Sequence, residues 1–77
     1  MSVRIVYYGY LSELAGACEV VVAVKEGTGA RVRELLAERV SKLEGGLIVL
    51  VNDVPATLDT VVRAGDTIKV LPHIGGG

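Results

Sequence analysis

Apolar and polar positions follow the pattern of β-strands near both ends of the chain. Residues 3–8 form an apolar, β-branched and aromatic run, residues 18–25 form a second, and residues 67–71 form a last one. The first two runs are close enough in sequence to pair as an antiparallel hairpin. Residues 9–17 between them contain two glycines, which favour turns, and two leucines, so a loop is expected there.

The hydrophobic period changes to that of a helix in the middle of the chain. Residues 30–43 carry apolar side chains three and four positions apart, which predicts one amphipathic helix. Thr28 is the expected N-cap residue, and the glycines at 45 and 46 are expected to end the helix. The apolar stripe consists of Val32, Leu35, Leu36, Val40 and Leu43.

The second half of the chain predicts shorter elements. Residues 47–51 are a continuous apolar run, too short for an independent helix, which predicts a strand buried on both faces. Residues 52–53 begin a turn, and Pro55 limits the next stretch to an edge segment. Residues 58–62 predict a short helical turn, and residues 63–66 predict a turn before the last strand.

This order of elements predicts a two-layer α+β domain, in which a sheet of four or five strands buries one face on the helix. Alternation along the first and last strands assigns the two faces. The residues expected to face the helix are Val3, Ile5, Tyr7, Ile68 and Val70. Those expected to face away are Arg4, Val6, Tyr8, Lys69 and Leu71.

An apolar patch is expected on the outer face if the first and last strands are neighbours. It would contain Val6, Tyr8, Leu71 and Ile74, beside the end of the chain. A contiguous exposed apolar patch often marks an interface. The alternative is that these are single exposed apolar side chains, which are common on protein surfaces.

Composition narrows the class of protein. A chain of 77 residues makes one domain near the lower size limit for folding, and 51% hydrophobic residues supply its core. The single cysteine, Cys18, excludes an intramolecular disulfide, and no Cys/His cluster predicts a zinc site. A net charge of −1 without basic runs gives no support for nucleic-acid binding. The sequence predicts no membrane span and no signal peptide, so a reducing, cytoplasmic location is expected.

Few side chains could catalyse a reaction. His73 is the only histidine, so no nucleophile–base–acid set is available and a tail contact is the more natural role. Cys18 fits a small strand hydrophobe better than a reactive thiol. Asp53, Asp59 and Asp66 lie in predicted turns, where aspartate commonly bonds local backbone. The remaining reactive group is the Gly77 carboxylate, which would make the chain a carried substrate and not an enzyme.

The chain closes with Pro-His-Ile-Gly-Gly-Gly at residues 72–77, which predicts a flexible tail beyond a domain of residues 1–71. Extended, six residues reach about 20 Å. Glycine lacks a Cβ, so the last three residues could thread into a narrow cleft and present Gly77 to another protein's active site. The alternative is a solvated, frayed chain end.

Five segments in this order resemble the MoaD/ThiS family of sulfur carriers. They are Val-Arg-Ile-Val-Tyr-Tyr at 3–8, Leu-Ser-Glu-Leu-Ala-Gly at 11–16, Val-Asn-Asp at 51–53, Gly-Asp-Thr-Ile at 65–68 and Leu-Pro-His-Ile-Gly-Gly-Gly at 71–77. The resemblance covers essentially the whole chain. It implies a β-grasp (ubiquitin-like) fold, with a mixed four- to five-stranded sheet packed on one main helix and a flexible C-terminal glycine tail.

The resemblance also implies a chemistry. A ubiquitin-activating-type adenylating enzyme (MoeB-like) would use ATP to adenylate Gly77, and persulfide sulfur would convert it to a thiocarboxylate. The chain would then donate sulfur to the pterin precursor as the small subunit of molybdopterin synthase, in a heterotetramer with a MoaE-like large subunit. It would bind no cofactor itself, and the catalytic residues would lie on the partner subunit.

By the same resemblance, Gly77 carries the sulfur and Gly75 and Gly76 form the tail. The implied partner interface is Tyr8, Leu71, Pro72, His73 and Ile74. The chain departs from the family pattern where His73 replaces a second proline and Gly75 replaces a small side chain. Three alternatives stay open: a ubiquitin-like modifier joined to target-protein lysines through Gly77, a sulfur carrier for thiamin thiazole synthesis, and a β-grasp interaction module with an inert tail.

Overall fold

The computed structural model of the protein describes residues 1–73. Its elements in chain order are β1 (Ser2–Tyr7), α1 (Leu11–Ala15), β2 (Glu19–Ala23), β3 (Ala30–Arg31), α2 (Val32–Leu35), α3 (Glu38–Ser41), a 3₁₀ turn (Glu44–Gly46), β4 (Leu47–Val51), β5 (Val54–Ala56), β6 (Val61–Val62) and β7 (Thr67–Pro72). The prediction for Ile74 and the glycines that follow lies outside the described residues.

A mixed five-stranded sheet forms the larger layer, with strand order β2-β1-β7-β4-β5. β1 pairs with β2 in an antiparallel hairpin, as expected, and with β7 in parallel, so the condition set for the outer apolar patch is met. β4 lies between β7 and β5 and is antiparallel to both. The two-residue strands β3 and β6 pair separately, with Ala30 opposite Val62.

The core lies between this sheet and the short helices. The five side chains predicted to face the helix are all buried, which confirms the assignment of the two sheet faces. The fully buried Leu11 joins them from α1. A loop was expected there, but α1 makes one helical turn, ended by Gly16 at φ 84° with its N–H bonded to the Ser12 carbonyl. Only a residue tolerant of positive φ ends a helix in this way.

The predicted continuous helix over residues 30–43 is wrong, because the chain breaks it into α2 and α3. Leu36 and Ala37 between them are extended, with ψ of 153° and 138°. Val32, Leu36 and Val40 are nevertheless all buried in the core. The apolar spacing therefore predicted correctly which side chains are buried. It did not predict that the backbone leaves the helical conformation at Leu36 and Ala37.

The ends of this helical region also differ from the prediction. Thr28 lies in a turn, with its N–H bonded to the Lys25 carbonyl, and is not the N-cap. The N-cap is Arg31, whose N–H donates to the Glu34 carboxylate at 2.9 Å. α3 ends at Ser41, before the glycines, and the backbone passes through the 3₁₀ turn into β4.

The β4–β5 hairpin follows the prediction at its turn and at its edge. Asn52 and Asp53 both adopt positive φ, 51° and 67°, which tight two-residue hairpin turns require. Pro55 lies on the edge strand β5 opposite Leu50. The prediction that β4 is buried on both faces is wrong, since Ile48 is 41% exposed.

The connection from β5 to β7 contains one further correction. Residues 58–62 were expected to form a helical turn, but Val61–Val62 is the strand β6. The preceding turn is held by side chains: the Thr57 N–H donates to the Thr60 hydroxyl at 3.0 Å. The predicted turn before β7 is confirmed, with Gly65 at φ 96°.

Candidate functional site

An apolar patch lies on the outer face of the sheet, on the side opposite the core. β1 and β7 place Val6 beside Lys69, and β4 places Ile48 beside Leu71. Tyr8 follows directly after β1, with its N–H bonded to the Val70 carbonyl, and its side chain is 38% exposed. We define the outer patch as Val6, Tyr8, Ile48, Leu50 and Leu71.

Three of these five residues were expected from the sequence and two were not. The structure brings Val6, Tyr8 and Leu71 together as predicted, while the predicted Ile74 lies outside the described residues. Ile48 and Leu50 were missed because an unbroken apolar run carries no alternation to assign faces. The predicted turn at residues 52–53 could have indicated that one face of β4 is exposed. It joins β4 to a short edge strand, so β4 lies next to the edge of the sheet.

Lys69 of β7 is a charged residue that lies between the outer-patch residues Val6 and Leu50. Its ammonium lies 2.6 Å from the Asp53 carboxylate. The hydrogen bond and the charge of Asp53 raise the pKa of Lys69, with a smaller contribution from Tyr8. The outer patch therefore surrounds the ammonium group of Lys69. The carboxylate of Asp53, which binds this ammonium, lies on the β4–β5 turn at the border of the patch.

The root of the tail is held between two parts of the fold. On one side Pro72 pairs with Leu47 at the start of β4, and the His73 N–H donates to the Gly46 carbonyl at 2.9 Å. On the other side Gly9, at φ 57°, faces the Pro72 ring, and a Cβ added to Gly9 would lie 3.4 Å from the Pro72 Cγ.

His73 therefore keeps a backbone bond that proline could not make, because proline lacks the N–H. The His73 side chain is exposed. The tail is anchored as far as this residue, and the domain boundary drawn after residue 71 stays a prediction. Residues 74–77, which include the expected sulfur-carrying Gly77, lie outside the described residues. Four extended residues beyond His73 would reach about 13 Å.

Of the three turn aspartates, Asp66 bonds local backbone as expected, whereas Asp53 and Asp59 bind the distant side chains of Lys69 and Arg33. Asp66 accepts hydrogen bonds from the Arg63 backbone N–H at 2.8 Å and from the Asn52 side chain at 2.9 Å, and these lower the pKa of its carboxyl. Asp59 binds the Arg33 guanidinium, and that hydrogen bond lowers the pKa of Asp59. Cys18 is exposed, directly precedes β2 and forms no disulfide, so the expectation of a small strand hydrophobe is wrong.

A cavity of about 240 Å³ lies on the inner side of β4. Arg33 and Glu44 line it with Asp59, and their charges are paired: the Arg33 Nη1 lies 3.1 Å from Glu44 and its Nε 2.9 Å from Asp59. The cavity therefore holds one guanidinium paired with two carboxylates, and its lining residue Leu47 pairs with Pro72 at the tail root. Within residues 1–73, no group of His, Cys, Asp and Glu is arranged to hold a metal ion, and no helix is long and apolar enough to span a membrane.

Comparisons with solved structures define the class of fold as ubiquitin-like β-grasp. SAMP1 of Haloferax volcanii has a TM-score of 0.73 and 26% identity, with 100% of both chains covered. Molybdopterin converting factor, subunit 1, of Pyrococcus furiosus has a TM-score of 0.71 and 25% identity, with 96% of this chain and 99% of that chain covered.

The model of the ThiS family matches residues 5–77, and the chain belongs to that family. Together with its structural neighbours, this places the chain among ThiS/MoaD-type sulfur carriers and ubiquitin-like modifiers. A chain in the complex of subunits 1 and 2 of molybdopterin-converting factor from Helicobacter pylori shares the fold, with a TM-score of 0.60, 22% identity and 100% of both chains covered. A comparison with curated proteins found no match.

Proposed function

We propose that this chain is a sulfur carrier that holds sulfur as a thiocarboxylate on Gly77. The observation that carries the proposal is the family match, which runs through the diglycine to Gly77. The structure supports it with an outer apolar patch that continues along β7 to an anchored tail root. A partner bound to this patch would receive the tail directly.

The chemistry requires a reactive acyl group at a sterically open carbon. An adenylating partner would join the Gly77 carboxylate to the α-phosphate of ATP and release pyrophosphate. Persulfide sulfur would then attack the acyl carbon, AMP would leave, and reduction of the resulting acyl disulfide by a thiol would leave the thiocarboxylate. Glycine suits this role because no side chain obstructs the carbonyl. This chain contributes the carboxylate and the docking surface, so the catalytic residues would lie on the partners.

We assign the outer patch, with Pro72 and His73, to partner recognition. Tyr8 at 38% and Ile48 at 41% expose apolar surface beside the tail root, and such patches often mark interfaces. The likeness to molybdopterin converting factor subunit 1 at 25% identity favours a MoaE-like large subunit and transfer of the sulfur to a pterin precursor. A MoeB-like enzyme would use ATP for activation, before the heterotetramer forms.

A second candidate is a ubiquitin-like modifier joined to lysines through Gly77. Its support is the likeness to SAMP1, small archaeal modifier protein 1 of Haloferax volcanii, at 26% identity over the whole chain. Both candidates use the same acyl adenylate, and they differ in whether sulfur or a lysine amine takes the acyl group. Sulfur delivery to thiamin thiazole synthesis differs from the first candidate only in the acceptor.

The test is an intact mass of the chain after incubation with ATP, a sulfur source and a soluble extract of its own cells. Sulfur carriage predicts replacement of one oxygen by one sulfur, absent when Gly76 and Gly77 are deleted. Lysine-linked adducts with an unchanged free chain would favour the modifier. An unchanged chain without adducts would contradict both and leave an inert interaction module, provided a known carrier is converted in the same extract.

A further inference from the structure

The two edges of the main sheet are unequal. The β5 edge is three residues long and contains Pro55, which cannot donate to a further strand. The β2 edge is the five-residue Glu19–Ala23, and its three central residues are all valine. Proteins usually protect a sheet edge with proline, charge or a short strand. β2 has none of these between Val20 and Ala23.

β2 also presents unpaired backbone groups on its outer side among the described residues. The carbonyl of Cys18 bonds the Tyr7 N–H, and the Val24 N–H bonds the Met1 carbonyl, so even-numbered residues face β1. In an antiparallel ladder the alternate residues point the other way. The N–H and C=O groups of Glu19, Val21 and Ala23 therefore point away from the sheet within residues 1–73.

We propose that β2 pairs with β2 of a second copy of this chain, antiparallel and centred on Val22. A two-fold axis perpendicular to the sheet would join the two five-stranded sheets into one. The backbone N–H and C=O groups of Val22 point towards β1 of the same chain. Val22 of one copy would therefore lie opposite Val22 of the other as a non-hydrogen-bonded pair. Val21 of each copy would exchange hydrogen bonds with Ala23 of the other.

Charge complementarity selects this register. With Val22 at the centre, Glu19 of one copy lies opposite Lys25 of the other, and the symmetry makes this ion pair twice. Glu19 already contacts Arg4 through Oε2 at 3.1 Å, and its other carboxylate oxygen can face the second copy. A register centred on Val21 would place Glu19 opposite Ala23 and leave Lys25 opposite Ala17. The alternative has no cross-strand ion pair.

The side chains on both faces fit the same register. On the inner face, Val20, Val22 and Val24 pack against the core cluster and would meet valines of the second copy. On the outer face, Val21 is 63% exposed, and strand β2 of the second copy would cover part of its side chain. The tail root on β7 lies two strands away from β2, so the pairing leaves the tail root of each copy uncovered.

A register-specific disulfide tests the proposal in the full chain. In a Cys18→Ser background, Val22→Cys places two thiols across a non-hydrogen-bonded pair, at a Cα separation of about 4.5 Å. The matched control Val21→Cys places them on a diagonal of about 7–8 Å, which is too long for a disulfide. Under mild oxidation we expect a covalent dimer from Val22→Cys and little from Val21→Cys. The reverse result, or equal yields, would overturn the register and the Glu19–Lys25 pairing.

Charge exchange on exposed residues provides a second test that leaves the core intact. Sedimentation at rising concentration of the natural chain should show a monomer–dimer equilibrium. Lys25→Glu should raise the dimer dissociation constant about tenfold, because two attractive pairs become repulsive. Glu19→Lys combined with Lys25→Glu should restore it to near the natural value. A monomer at millimolar concentration, or a dimer that both variants leave unchanged, would overturn the proposal.

Discussion

The hydroxyl of Tyr7, at the end of β1, accepts a hydrogen bond from the backbone N–H of Ala37 at 2.9 Å. Ala37 lies between α2 and α3, where the extended Leu36 turns the chain away from the carbonyls of the preceding helix. A partly buried N–H without an acceptor would be costly. Tyr7 supplies that acceptor from 30 residues away in sequence, and this contact ties the sheet to the break in the helix.

Replacing Tyr7 by phenylalanine should lower the free energy of unfolding by about 1–2 kcal/mol. The ring would still fill its core position, but the Ala37 N–H would lose its acceptor in a partly buried site. Urea unfolding followed by circular dichroism would measure the loss. Tyr10→Phe is the matched control, because Tyr10 is 52% exposed and should stay within about 0.5 kcal/mol.

The same substitution should flatten the alkaline limb of the stability curve. Burial raises the pKa of Tyr7 above 10.0, opposed by the hydrogen bond from Ala37. The stability linked to this shift is fully present below the unfolded value and is lost as pH rises through the folded pKa. Above about pH 10 the natural chain should therefore lose stability more steeply than Tyr7→Phe. Parallel curves for the two proteins would show that Tyr7 titrates as in the unfolded chain.

Asp66→Asn should destabilise the fold by about 1 kcal/mol at neutral pH and by less in acid. The carboxylate accepts the Arg63 N–H and the Asn52 amide, and these bonds lower its pKa below 3.8. Its contribution is therefore present above the unfolded pKa and lost as pH falls through the folded pKa. Denaturant midpoints at neutral pH and near pH 3 would show the difference between the proteins shrinking. A constant difference would contradict the carboxylate's role.

Gly29→Ala should lower stability by about 1–2 kcal/mol, whereas Gly45→Ala should be nearly neutral. A Cβ on Gly29 would overlap the Cγ1 of Val61, in the strand that pairs with β3. Relief requires movement of a stiff β-branched side chain. A Cβ on Gly45 would meet nothing within 4 Å. Thermal unfolding of both variants would compare them, and equal melting temperatures would mean that β6 moves aside without cost.

Ile48→Thr should weaken binding to the activating enzyme or to the large subunit about fivefold, with little change in stability. It removes apolar area from the outer patch but keeps the β-branching that suits a strand. Val54→Thr is the matched control, since Val54 is 62% exposed yet pairs with Val51, on the inner side of the sheet. Calorimetric titration with each purified partner would measure both. Equal weakening by the two variants would place the binding surface elsewhere.

The alternation of residues along the chain was sufficient to assign the two faces of a strand that has the core on one side and the outer surface on the other. β1 and β7 alternate between core and outer residues, so their inner residues could be assigned without the structure, and they are buried as expected. Alternation fails for β4, because its residues are apolar throughout. Ile48 and Leu50 became part of the outer patch only through their register with β7.

The sequence by itself determined the hairpin, the sheet faces, the turn at Asn52–Asp53 and the family, because each depends on neighbouring residues or on order along the chain. Only the tertiary structure decided the break at Ala37 and the pairing of β3 with β6. The break depends on a phenol from a distant strand, and two-residue strands carry too little pattern to predict. Contacts between residues far apart in sequence override local periodicity, since packing contributes more than helix propensity to a short helix.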